Sequence, residues 1–115
     1  MKKLLYIFSV MLMVSCGIFL SQPKEEMVAS VIDGDTIVLK GGERIRFARI
    51  DTPELSTRKG RKVANWLRNK IDGKMVRIER HGKGYYGRTI GEVYYKEVNL
   101  NDELLSKGYA VKYRK

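Results

Sequence analysis

Between Val28 and Ile50 the chain never runs far before a turn signal interrupts it, and this limits the fold more than any other feature. Val28 to Ile32 leads into Asp33-Gly34-Asp35, and Thr36 to Leu39 leads into Lys40-Gly41-Gly42-Glu43. Arg44 to Ile50 then runs into Asp51-Thr52-Pro53. Runs this short, bounded by Gly, Asp and Pro, predict strands joined by tight turns. In Arg44-Ile45-Arg46-Phe47 the alternation puts both arginines on one face and the apolar pair on the other. Pro53 ends the third strand, because it cannot donate to a ladder and restricts the residue before it.

At Gly60 the period changes. Val63, Leu67 and Ile71 stand four apart with Ala64 beside them, which predicts a helix with one apolar face. Gly73 suits its C-terminal end. Met75 to Glu79 reads as a fourth strand and Thr89 to Tyr95 as a fifth, and the glycine-rich, basic stretch His81 to Arg88 between them reads as a mobile loop. A second short helix is expected near the end. Asn101 is its candidate cap, Asp102 and Glu103 complement its dipole, Leu100 and Leu105 suit a hydrophobic staple, and Gly108 stops it. The fold class is therefore α+β, mainly β: a five-stranded OB-type barrel with two short helices.

The N-terminal segment follows other rules. Lys2 and Lys3 precede an apolar run from Leu4 to Val14, broken only by Ser9, which is the pattern of a secretory signal. Met13-Val14-Ser15-Cys16-Gly17 resembles a bacterial lipobox, in which the cysteine is acylated and becomes the new N-terminus. Cleavage after a small residue such as Gly17, or an uncleaved helix from Leu4 to Leu20, are the alternatives. Residues 1–23 are thus read as signal peptide and start of a tether, and residues 24–115 as the folded domain. The product is expected to be exported, either anchored to a membrane through a lipid on Cys16 or secreted.

Removing Lys2 and Lys3 leaves 21 basic against 13 acidic residues, a surplus of +8. Such a surplus favours a polyanionic partner, nucleic acid or an anionic membrane surface. One cysteine and one histidine, His81, can form neither an intrachain disulfide nor a Cys/His zinc site. They also leave no partner pair for a Ser–His or Cys–His hydrolase. Carboxylates and arginines carry what chemistry there is. Asp33 and Asp35 straddle Gly34, and Asp51 and Glu54 flank Thr52-Pro53. Carboxylates with a backbone carbonyl at strand ends are the hard oxygen ligands that calcium prefers, although Asp-Gly-Asp alone is also an ordinary turn.

Four separated blocks together narrow the reading. Val31 to Thr36, Ile45 to Glu54, Tyr86-Gly87-Arg88, and Asn101 through Gly108-Tyr109-Ala110 resemble the staphylococcal nuclease (thermonuclease) family in order, spacing and residue type. The resemblance runs from about Val28 to Val111. It implies that Asp35, Asp51 and the Thr52 carbonyl bind Ca2+, with Asp33 in the outer shell holding a metal-bound water. Glu54 would be the general base, or would orient the attacking water. Arg46 and Arg88 would grip the phosphate, and Tyr86 would lie near it. Arg44 and Arg49 are expected to be plain surface arginines and Trp66 a packing residue, while Tyr85, Tyr109 and Tyr113 could stack on bases. The family carries an acidic residue where this chain has Gly84, and a final helix beyond the position of Lys115, so that helix is expected to be missing here.

The function so implied is a calcium-dependent nuclease hydrolysing phosphodiester bonds of DNA and RNA and leaving 3′-phosphate ends. A catalytically silent OB module that binds nucleic acid, and a lipoprotein whose basic face rests on anionic lipid, are the alternatives.

Overall fold

The computed structural model describes residues 23–113. The signal segment and Cys16 lie outside the described residues. Eight strands lie among the described residues: β1 (Glu26–Asp33), β2 (Thr36–Leu39), β3 (Arg44–Phe47), β4 (Ile50–Asp51), β5 (Met75–Lys83), β6 (Thr89–Tyr95), β7 (Val98–Asn99) and β8 (Val111–Lys112). Helix α1 (Arg58–Ile71) follows β4, and α2 (Leu100–Ser106) follows β7. Neighbouring strands run β3-β2-β1-β5-β6, and β3 then pairs with β6 in parallel, which closes a five-stranded barrel. The expected OB-type architecture with two helices is what the chain adopts. Closure matters because it leaves no long free edge among these five strands.

Inward positions of the strands fill the barrel. Val28, Ile37, Ile45, Phe47, Val76 and Val93 are all fully buried, or nearly so. Helix α1 covers one end with Val63, Leu67 and Ile71, the apolar face read from its period. Its N-cap is Thr57, whose Oγ1 accepts from Gly60 N at 3.0 Å, and Gly73 beyond it takes a left-handed φ of 72°.

Three expectations are corrected. The third strand does not run unbroken to Ile50; it kinks at Ala48-Arg49, where Arg49 has a φ of 69°, and resumes as the short β4 paired with β8. The stretch from His81 is not a mobile loop: β5 continues to Lys83, pairing Gly82 with Ile90 and Lys83 with Thr89 across a bulge, and only Tyr85–Gly87 forms a 3₁₀ turn. Backbone pairing to β6 outweighs the glycine content there. The cap of α2 is Asn99, whose side chain accepts from Asp102 N at 3.0 Å. Asn101 is instead fully buried. Its amide donates to Ala48 O and Gly91 O at 3.0 and 3.1 Å, and its Oδ1 accepts from Val93 N at 3.0 Å. It ties the kink after β3, strand β6 and helix α2 together.

Candidate active site

The Asp33-Gly34-Asp35 turn is pressed against the end of β4 and the side of α1. A Cβ on Gly34 would stand 2.7 Å from Val63 Cγ1 and 2.9 Å from Thr52 Oγ1, so only glycine allows this approach. The turn is held from within, since Asp35 N donates to Asp33 Oδ1 at 3.0 Å. It is held to the barrel as well, since Phe47 N donates to Asp35 O at 2.8 Å. Asp35 is therefore a buried carboxylate with fixed partners. Its Oδ2 accepts from both Thr52 N and Thr52 Oγ1 at 3.0 Å.

Arg46 projects from β3 into the same place. Its Nη2 lies 2.8 Å from Asp51 Oδ1 and 3.5 Å from Asp35 Oδ2, so two carboxylates converge on one guanidinium nitrogen. Its Nη1 donates to the carbonyls of Phe47 and Ile50 at 2.8 and 2.9 Å. The kink at Ala48-Arg49 makes this possible by turning the Ile50 carbonyl and Asp51 back toward Arg46. Asp33, at the edge of this group, has its pKa raised to about 6, first by burial and then by the hydrogen bond and charge of Asp35. The Asp35 N–H and the Arg46 charge pull the other way.

Arg46 also lines a cleft of about 540 Å3 whose other wall is the β5–β6 hairpin. Arg88 and Tyr85 come from that hairpin, and Tyr113 closes the cleft with its ring 5.9 Å from the Arg46 guanidinium. Arg88 Nε donates to Tyr85 O at 3.3 Å, which is its sole hydrogen bond by side chain among the described residues. Arg46 and Arg88 thus line one cleft, with Arg49 a third arginine in its wall. Glu54 is exposed and lines a neighbouring hollow of about 280 Å3 with Asp51, Thr52, Lys59 and Tyr109.

The fold brings together Asp33, Asp35, Arg46, Asp51 and Thr52, and it sets Arg88 across a cleft from Arg46. Glu54 lines a hollow with Asp51 and does not line the arginine cleft. Tyr86 is 91% exposed with a φ of 62° and stacks loosely beside Arg88 at 5.8 Å, while Tyr85 lines the cleft. Arg49 is not a plain surface arginine. Its guanidinium meets Glu92 through Nε at 3.1 Å and Nη2 at 2.5 Å, and Asp102 through Nη2 at 2.7 Å. Burial pushes the Glu92 carboxyl upward, but the hydrogen bonds from Arg49 and Asn99 outweigh it and leave the pKa below the usual range. This clamp, like Asn101, supports the kink that aims Asp51. Neither could be read from local sequence, since their partners lie far along the chain.

The oxygen donors on Asp35, Asp51 and Thr52 fit a hard cation. No cluster of three or more acidic, His or Cys side chains occurs among the described residues, so two carboxylates and a carbonyl would leave most coordination positions to water. The two carboxylates already share one cation, the Arg46 guanidinium.

A sequence profile described as "Staphylococcal nuclease homologue" matches residues 44–115, which is more than half of the chain. The chain belongs to the staphylococcal nuclease family. Among its curated relatives, an "Uncharacterized endonuclease" of Haemophilus influenzae is 38% identical over 91 residues, covering 76% of this chain and 51% of that protein. A "Thermonuclease" of Staphylococcus intermedius is 35% identical over 95 residues, covering 73% and 56%. A "Probable staphylococcal-like nuclease" of Oryza sativa is 36% identical over 76 residues, covering 66% and 20%. This staphylococcal nuclease homologue therefore spans about half the length of the two bacterial relatives.

Proposed function

We propose that this chain is a calcium-dependent nuclease that hydrolyses phosphodiester bonds of DNA and RNA and leaves 3′-phosphate ends. The observation that carries the reading is the convergence of Asp35 and Asp51 on Arg46, beside a cleft that Arg88 enters from the opposite wall. Phosphodiester hydrolysis needs positive charge on the phosphoryl oxygens and an oriented water, and these groups can supply both.

Asp35, Asp51 and the Thr52 carbonyl would hold the ion, with Asp33 fixing a water beside it. Bound calcium would supply Lewis-acid neutralisation of a phosphoryl oxygen. Arg46 is now the cation that Asp35 and Asp51 share. Were Asp35 and Asp51 to hold the ion instead, the Nη2 donors of Arg46 would be left for phosphate. Arg88 has few ties to the protein and can swing onto the same phosphate, offering the planar fork that lysine lacks. Glu54, exposed beside Asp51, is the carboxylate able to take a proton from the attacking water. Tyr86 has the exposure to reach the phosphate from the rim.

The test is incubation of the full chain with single-stranded DNA or RNA in calcium and in excess chelator. Calcium-dependent products ending in 3′-phosphate are expected. Undiminished cleavage in chelator would exclude the metal mechanism, and binding with no cleavage would leave a silent nucleic-acid-binding module. For localisation, we propose export and acylation of Cys16, on the lipobox-like sequence alone. The mass of the mature N-terminal peptide decides this: a free terminus at Gly17 or later would exclude the lipid anchor.

A further inference from the structure

Helix α1 begins with Arg58-Lys59-Gly60-Arg61-Lys62 and has no acidic residue in its first turn. These cations oppose the positive end of the helix dipole, and of the four only Arg61 is tied back to the fold by its side chain among the described residues, donating to the Leu55 and Ser56 carbonyls at 3.4 and 3.1 Å. Lys59, Lys62, Trp66 and Lys70 follow at spacings of three and four, which sets them along one face. The C-terminal end of α2 and the residues just after it complete the row. The Trp66 and Tyr109 rings meet edge to face at 5.5 Å, Lys62 lies 5.9 Å from the Tyr109 ring, and Lys70 and Lys107 lie 5.0 and 5.7 Å from Trp66. Both aromatics are half-buried and pack against the core, leaving part of each side chain accessible. Lys70 is partly neutralised by Glu103 at 3.4 Å, and Lys59 shares its hollow with Glu54. Lys59, Lys62 and Lys107 pair with no carboxylate among the described residues.

The row has a direction. Lys59 and Tyr109 line the same hollow as Asp51, Thr52 and Glu54, so its near end opens onto the site described above. We infer that this face of α1 is a track for a single-stranded nucleic acid, holding the strand that flanks the phosphate at the site. Lysines interleaved with aromatic side chains suit such a strand, because charge follows the backbone while an aromatic ring accepts any base. The inference rests on the proposed nuclease reading for the identity of the strand, but its test does not depend on cleavage.

Trp66 is the sole tryptophan, so its emission reports directly on the track. The full chain, carried in neutral phosphatidylcholine nanodiscs, is titrated with an oligothymidylate in excess chelator at several salt concentrations. Saturable quenching of Trp66 is expected, with affinity falling as salt rises. The double variant Lys62→Gln/Lys107→Gln should flatten the log–log salt slope by about 1.4, at roughly 0.7 for each phosphate of a single strand that is no longer neutralised. Tyr109→Ala should weaken binding about tenfold with the slope unchanged, as removal of one stacking partner does. Unchanged Trp66 emission at a saturating oligonucleotide, or a wild-type slope in the double variant, would overturn the track. So would a response to phosphatidylglycerol nanodiscs in place of the oligonucleotide, which would make the face a lipid-binding surface. Quenching in a protein that cuts nothing when calcium is restored would support the track and sink the nuclease reading.

Discussion

Gly60 of helix α1 passes so close to Glu54 that a Cβ on it would stand 1.8 Å from the Glu54 carbonyl oxygen. That carbonyl also accepts from Thr57 N at 2.9 Å and Thr57 Oγ1 at 2.7 Å, so the turn carrying Glu54 is folded tightly onto the start of the helix. Gly60→Ala must push the two apart. It should cost about 1–3 kcal/mol, the usual range for forcing extra atoms into a packed region. Thermal unfolding would measure the loss, and turnover should fall with it, because Glu54 is displaced. A variant as stable and active as the parent would show that this turn can shift freely.

Glu54→Gln and Arg88→Lys should each lower turnover by about a hundredfold or more, with the fold intact by circular dichroism. Gln cannot take a proton from water, and Lys cannot make the forked contact with phosphate. Neither residue carries the barrel: Glu54 is exposed, and the Arg88 side chain makes one hydrogen bond to a backbone carbonyl. Wild-type rates in either variant would show the assigned roles to be wrong.

Asn101→Leu keeps the volume but removes three buried hydrogen bonds, stranding Val93 N and Ala48 O, while Gly91 O keeps its bond from Ala48 N. A buried polar group left without a partner costs about 1–3 kcal/mol, so a total of at least about 2 kcal/mol is expected for the two. Chemical denaturation checks it. A loss below about 1 kcal/mol would mean that water or a backbone shift replaces these bonds.

Glu43 has its pKa lowered to about 2, chiefly by hydrogen bonds from Arg80 and Thr89. Those bonds measure 2.7 and 3.1 Å from Arg80 and 2.7 Å from Thr89. A depressed carboxylate stabilises the fold above its unfolded pKa of 4.5, and the stabilisation is lost as pH falls through the folded value of about 2. Glu43→Gln should therefore melt lower than the parent at pH 7, with the gap narrowing between pH 4.5 and 2. Glu43 is partly exposed, so salt should narrow the gap too. A difference independent of pH would place the effect in packing, not charge.

The barrel was legible because its signals are local. Ile45 and Phe47 alternate with arginines, Val63, Leu67 and Ile71 repeat at four, and Gly73 and Gly108 mark two helix ends. What local pattern could not show was any feature decided by a distant partner. The kink at Arg49 depends on Glu92 and Asp102, and the burial of Asn101 depends on Ala48 and Gly91. Continuation of β5 through Gly82 depends on pairing with Ile90. At the site, the residue types were readable from the blocks around Asp35, Asp51 and Arg88. Their grouping was not, because which tyrosine enters the cleft is set by the φ of Tyr86 and by the hairpin beneath it.

Closure by parallel pairing of β3 with β6 also fixes an order of assembly during synthesis. Ile45, Arg46 and Phe47 lie opposite Thr89, Ile90 and Gly91, so the pairing that shapes the cleft joins segments far apart in the chain. Such pairing forms late, after the entropy of a long loop has been overcome. A chain emerging from the ribosome exposes Asp35, Arg46 and Asp51 well before the residues that pair with β3 exist. Strand β8, which pairs with Asp51 through Val111, arrives later still. The half-made chain holds Asp35, Arg46 and Asp51 without the walls that group them into a cleft.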